Sequence, residues 1–72
     1  MKIQPKVEQI NELLIRKGLS KRALANIAEI GQATAVQICN GRRNPSPRIA
    51  KKITDALEVE FDEIFVIQIP VV

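Results

Sequence analysis

The stretch LSKRALANIAEIGQATAVQICNG, residues 19–41, carries two short helical patterns separated by a break. Ser20 is a favourable N-cap and predicts a helix over 21–28, with four side chains turned inward: Leu24, Ala25, Ile27 and Ala28. After the break at 29–31, a second short helix is predicted from about Gln32 to Cys39, ending at Asn40-Gly41. Two such helices joined by three or four residues are typical of a helix-turn-helix. Many small helical bundles contain a similar pair, so the motif needs support from further residues.

On either side of this stretch, the sequence predicts further helices and a short extended tail. Before it, a helix is predicted over 5–17, with Pro5 in the first helical turn and Gly18 as a left-handed cap. After it, Ser46-Pro47 supplies an N-cap and a first-turn proline to a fourth helix, and a helical turn is expected at about 61–65. Residues 66–72 are predicted to be an extended strand. The expected fold is all-α, a single compact five-helix domain over residues 1–72 with a short extended C-terminal strand.

The composition argues against several classes of protein. The chain has 72 residues, 46% of them hydrophobic, with two Phe and no Tyr or Trp. Its core is therefore expected to consist of Ile, Leu, Val and Ala, which suits packed helices. A single cysteine, Cys39, allows no internal disulfide, and without histidine a structural zinc site is excluded. No apolar run approaches the roughly 18 residues that span a bilayer, and the first residues lack the apolar stretch of a signal peptide. We expect a cytoplasmic protein with no metal, no cofactor and no membrane partner.

The charges are distributed unevenly along the chain. The net charge is +3, but residues 1–52 carry all eleven Lys and Arg together with only three acidic residues. Residues 53–72 carry the other five acidic residues and no Lys or Arg. A chain with a basic and an acidic part takes up an orientation in the field of a polyanion such as DNA. The alternative is an ordinary soluble surface whose charges happen to be uneven.

Eight short elements between residues 19 and 65 match a known family pattern. They are Leu19-Ser20, Leu24-Ala25, Thr34, Ile38, Asn40-Gly41, Arg43-Asn44-Pro45-Ser46, Ala56-Leu57 and Asp62-Glu63-Ile64-Phe65. In these elements the chain resembles the Xre/Cro/phage-repressor family of bacterial DNA-binding domains. The resemblance implies a lambda-repressor-like helix-turn-helix fold, encoded by a bacterium or a phage. It also implies a transcriptional regulator, acting as a repressor, that binds a double-stranded DNA operator and is nucleoid-associated when bound.

The predicted helix 32–39 has the composition of a helix that reads DNA bases. No charged residue occurs between Glu29 and Arg42, so the helix is neutral. The face turned away from the core is expected to present Gln32, Ala33, Val36 and Gln37. Gln pairs in bidentate fashion with the adenine edge, and Ala or Val packs on a thymine methyl group. The alternative is an amphipathic helix whose glutamines simply face water.

A second set of residues is predicted to contact phosphate. Lys21 and Arg22 lie in the first turn of the helix over 21–28, where the helix dipole disfavours cations, and a nearby phosphate would explain them. Simple tolerance of exposed cations is the alternative. Arg42 and Arg43 follow the reading helix, and family members use this loop to straddle the backbone. Neutral hydrogen bonds to phosphate are expected from Thr34, Asn40 and Asn44.

The chain departs from the family pattern at three places. Glu29 stands where the turn usually has a left-handed Gly, which costs roughly 1 kcal/mol or requires a different turn geometry. Gly31 replaces the usual Ser or Thr cap of the reading helix. Many relatives pair an Arg late in the first helix with a Glu in the third, and the matching positions here are Leu14 and Cys39. An apolar contact is expected instead, with Cys39 as a core residue.

The tail predicts self-association. Five apolar residues lie within seven positions of it: Val66, Ile67, Ile69, Val71 and Val72. Such a strand can pair with Lys2-Ile3-Gln4 of its own chain or with the same strand of a second copy. Because one reading helix covers only a few base pairs, we expect a two-fold homodimer held partly by this tail. In the alternative, the tail folds back on its own domain and the monomers meet only on DNA.

Two other classes of function are alternatives to a DNA-binding regulator. Small domains of this family also serve as antitoxins or adaptors whose main partner is another protein, and such a chain would show no salt-dependent binding to duplex DNA. An enzyme is the less favoured possibility, because the chain has no His, one Cys that is expected to be buried, and no phosphate-cradling glycine loop. No catalytic residue and no small-molecule substrate are predicted.

Overall fold

Five helices and one pair of strands form the part of the chain, residues 2–69, that the computed structural model describes. In chain order the elements are β1 (Lys2–Pro5), α1 (Val7–Lys17), α2 (Lys21–Ala28), α3 (Gln32–Cys39), α4 (Pro47–Leu57), α5 (Phe61–Ile64) and β2 (Phe65–Gln68). The two helices of the predicted helix-turn-helix, α2 and α3, have the bounds that the sequence indicates. None of the helices within residues 2–69 has the length and apolar character needed to cross a membrane.

The ends of the helices follow from local side-chain chemistry. Ser20 Oγ accepts a hydrogen bond of 3.0 Å from the Ala23 N–H at the start of α2. Ser46 Oγ accepts one of 3.3 Å from the Ile49 N–H, and Pro47 occupies the first turn of α4. Gly18 ends α1 with φ 66° and ψ 32°, a left-handed conformation that glycine adopts without a Cβ clash. The caps predicted from the sequence are confirmed.

The core consists mainly of Ile, Leu and Ala side chains, as the composition predicts, but it also includes the aromatic side chain of Phe65. Its buried members are Ile3, Ile10, Leu14, Leu24, Ile38, Cys39, Ala50, Ile53, Leu57, Ile64 and Phe65. The prediction that Ile27 faces inward is wrong, because its side chain is 52% exposed. Residues 24, 25 and 28 span about 100° of the helix circumference, and position 27 lies more than 100° from the centre of that arc.

The two ends of the described chain meet in an antiparallel pair. Lys2 pairs with Gln68 and Pro5 with Phe65, so the C-terminal strand pairs within its own chain. The prediction that Pro5 begins the first helix is wrong: it ends β1, and α1 starts at Val7. Proline is tolerated here because it lies at the end of a strand in a two-stranded sheet, where its missing N–H costs least. The predicted tail residues Val71 and Val72 lie outside the described part of the chain.

Candidate nucleic-acid interface

The turn between α2 and α3 has the geometry of a tight helix-turn-helix. Glu29 adopts φ 58° and ψ 45°, so a non-glycine residue occupies the left-handed position of the turn. Of the two expectations, a strained Glu29 or a different turn geometry, the first is the one observed. The turn is closed by backbone hydrogen bonds from Glu29 N–H to Asn26 O and from Ile30 N–H to Ala25 O, at 3.3 and 3.0 Å. Ala25 is buried, and its small side chain allows α2 and α3 to approach closely. Gly31 caps α3 without a side-chain hydrogen bond, as predicted.

One side of α3 is held by the core and the other faces solvent. Ala35, Ile38 and Cys39 are buried. The residues predicted to read bases are Gln32, Ala33 and Gln37, which are exposed, and Val36, which is half-buried. These four span about 140° of the helix circumference, and we call them the reading face of α3. A helix held in this way presents uncharged amide and methyl groups to a partner.

The cations predicted to contact phosphate lie around this face. Arg43 Nη1 lies 3.4 Å from Gln37 Oε1 and 3.5 Å from Thr34 Oγ1, which places the guanidinium beside the reading face. At the C-terminal end of α3, Lys21 Nζ donates a 2.5 Å hydrogen bond to Asn40 Oδ1. The start of α2 and the end of α3 are thereby joined by two of the predicted residues. Three more of the residues predicted to contact phosphate are exposed and take no part in these hydrogen bonds: Arg22, Arg42 and Asn44.

The apolar replacement for the family's ion pair is present. Leu14 and Cys39 are both buried in the same core cluster. Burial raises the pKa of the Cys39 thiol above its ordinary value of 9.0, and the nearby Lys21 ammonium opposes this only in part. The thiol therefore stays protonated at neutral pH, where it is a poor nucleophile. Cys39 is a core residue, as predicted.

Sequence reasoning missed Asn11, which anchors the end of α3. Asn11 Nδ2 donates to Cys39 O at 3.1 Å and to Val7 O at 2.8 Å, so one amide joins α1 to the last turn of α3. The following Gly41 has φ 75°, and a Cβ at this position would lie 2.8 Å from Val7 Cγ2. The signal available in the sequence was a polar Asn within the apolar pattern of α1 together with Gly41 just after α3.

Metal chemistry receives no support from the arrangement of side chains. Within residues 2–69, no group of three or more His, Cys, Asp or Glu side chains is placed to hold a metal ion. The positive charges instead surround a neutral helix. That combination fits a polyanion whose base edges are read by uncharged groups.

Comparison with known proteins defines the class. The model of a helix-turn-helix family matches residues 10–64. The restriction-modification controller protein C.AhdI from Aeromonas hydrophila is similar in structure, with 30% identity and a TM-score of 0.73 over 79% of this chain and 86% of that one. A helix-turn-helix-family transcriptional regulator from Vibrio cholerae, also 30% identical, gives 0.70 over 79% of this chain and 32% of that one. Among curated protein sequences, none matches.

Fold and family together give the class of helix-turn-helix DNA-binding proteins that regulate transcription. This chain belongs to the helix-turn-helix family, and its predicted resemblance to the Xre type is confirmed.

Proposed function

We propose that this chain is a sequence-specific transcriptional repressor that reads the major groove of an operator with α3. The observation that carries the proposal is the uncharged, solvent-facing side of α3, with Arg43 beside Gln37 and with Lys21 hydrogen-bonded to Asn40 at the C-terminal end of the helix. In this arrangement Gln32 and Gln37, assisted by Ala33 and Val36, read bases, while the surrounding cations bind phosphate. Occupation of the operator blocks transcription. The proposed repressor catalyses no reaction, needs no cofactor and acts in the cytoplasm.

The proposed regulator acts as a homodimer. Dimers of this class cover two half-sites about 10–10.5 bp apart, so they read twice as many base pairs as one helix does. Within residues 2–69, β2 pairs along one edge with β1 and no strand pairs along its other edge, while the apolar side chains Val66, Ile67 and Ile69 are 42%, 48% and 71% exposed. An open strand edge with exposed apolar side chains favours pairing with a second copy. We therefore assign the dimer contact to β2 and the residue that follows it.

Selection of bound sequences from random duplex DNA tests this function. The expected result is a recovered site with two related half-sites about 10–10.5 bp apart, bound with an affinity that falls as salt rises. A chain whose main partner is a protein, such as an antitoxin or adaptor, would enrich no sequence and show no salt-dependent binding to duplex. That outcome would reject the proposed function.

A further inference from the structure

A surface pocket lies next to the reading face of α3. Its volume is about 380 Å³, and it lies between β1, the first turn of α3, the loop that follows α3 and the start of α4. Apolar side chains form part of its wall. Its polar lining comes from distant parts of the sequence: Lys2, Thr34, Arg43, Asn44 and Ser46.

The chemistry of this pocket suits an oxyanion. Lys2 and Arg43 bring two positive charges, and none of the described residues that line the pocket is a carboxylate. Ser46 Oγ already accepts a hydrogen bond from the Ile49 N–H, so its own hydroxyl proton remains available to a ligand. Ammonium, guanidinium and hydroxyl groups are all good donors to phosphate oxygens.

The position of the pocket selects DNA as the source of the phosphate. Arg43 lines the pocket and also lies 3.4 Å from Gln37 Oε1 on the reading face. A helix lying in the major groove has a sugar–phosphate backbone along each side, and contacts to that backbone fix its register. We infer that this pocket binds one backbone phosphodiester of the operator and that Lys2 is a phosphate-binding residue. The inference rests on the proposed function and adds a contact from outside the helix-turn-helix.

The position of Lys2 depends on the far end of the chain. Lys2 pairs with Gln68, and the neighbouring Ile3 pairs with Ile67. The strand β2 therefore holds β1 against the pocket within one chain. It contributes to DNA binding separately from any contact it makes with a second copy.

Binding of fluorescent duplexes by anisotropy, at 50 to 200 mM NaCl, tests the assignment. The proteins are the wild type, Lys2→Gln, Lys2→Arg and a control, Lys17→Gln, which removes the same charge from an exposed site at the end of α1. Lys2→Gln should reduce the slope of log affinity against log salt by about 0.9, which corresponds to about eightfold at 0.1 M salt. The loss should be equal on random and selected duplexes. Lys2→Arg should keep the wild-type slope, and Lys17→Gln should change it much less.

The outcomes separate this inference from the function on which it rests. If the wild type shows no salt-dependent binding to duplex, the proposed function itself fails. If the wild type binds and Lys2→Gln keeps the same slope, only the role of Lys2 is wrong. Inorganic phosphate, exchanged for chloride at constant ionic strength, distinguishes the source of the phosphate group. Phosphate that weakens duplex binding by the wild type more than by Lys2→Gln would show that the free ion displaces the phosphodiester from this pocket, and an equal loss in both would show that the pocket holds the phosphodiester alone.

Discussion

Replacing Glu29 by glycine should stabilise the protein and leave its DNA sequence preference unchanged. Glu29 has φ 58°, a left-handed conformation that costs a non-glycine residue about 1–2 kcal/mol. Glycine relieves this strain, but it also increases the conformational entropy of the unfolded chain, which offsets about 0.4–1 kcal/mol of the gain in stability. The side chain is exposed, and within residues 2–69 its carboxylate takes part in no ion pair. The net gain is therefore about 0.5–1 kcal/mol, or about 2–8 °C in Tm for a domain of this size.

Thermal unfolding followed by circular dichroism measures this shift, with Glu29→Ala as the matched control. Alanine removes the same carboxylate but retains the Cβ, so its Tm should stay near that of the wild type. Glu58, which ends α4 with φ 57°, offers an independent site where a change to glycine should add a similar gain. Equal stabilisation by alanine and glycine at position 29 would show that the charge matters and the backbone strain does not. A lower Tm for Glu29→Gly would refute the reasoning.

Three further predictions concern DNA binding and assembly. Gln32→Ala and Gln37→Ala should each cost about 1–3 kcal/mol on the best site and relax the preference at one base pair, and an unchanged selected sequence in both would refute base reading. Neutralising any one of the cations Lys21, Arg42 and Arg43 should reduce the salt slope by about one unit and weaken specific and nonspecific binding alike. A change of sequence preference with an unchanged salt slope would contradict phosphate contact. Ile69→Asp should sediment as a monomer at tens of micromolar. The control Ile15→Asp, at an 81% exposed site on α1, should sediment as a dimer like the wild type. A dimeric Ile69→Asp would exclude this part of the tail from the interface.

The parts of the fold that the sequence predicts are those with local causes. The bounds of α2 and α3 follow from an N-cap at Ser20 and from residues 29–31, where the helical pattern breaks. The start of α4 follows from its N-cap, Ser46, and from Pro47, its first residue. In each case the deciding interaction joins residues no more than a few positions apart. A single sequence contains that information.

The parts that the sequence does not predict depend on residues far apart in the chain. Pro5 is compatible with both a strand end and a first helical turn, and its pairing with Phe65, sixty positions away, decides between them. A phosphate contact from Lys2 is not predicted, because only that pairing brings Lys2 near Thr34 and Arg43. Ile27 was misplaced because an apolar residue at the margin of a helical stripe fits the periodicity whether or not a neighbour covers it.

The anchoring of α3 bears on how the salt dependence of binding is interpreted. In many relatives, by the family resemblance, a charged pair joins the first helix to the third. Here the corresponding residues, Leu14 and Cys39, are apolar and buried, and Asn11 adds a neutral hydrogen bond to Cys39 O. Neither interaction is screened by salt in the range where binding is measured, whereas exposed charge pairs are. The orientation of the reading face is thus independent of ionic strength. A difference in salt slope between the wild type and a variant such as Lys2→Gln can therefore be assigned to the proposed phosphate contact rather than to a shift of α3.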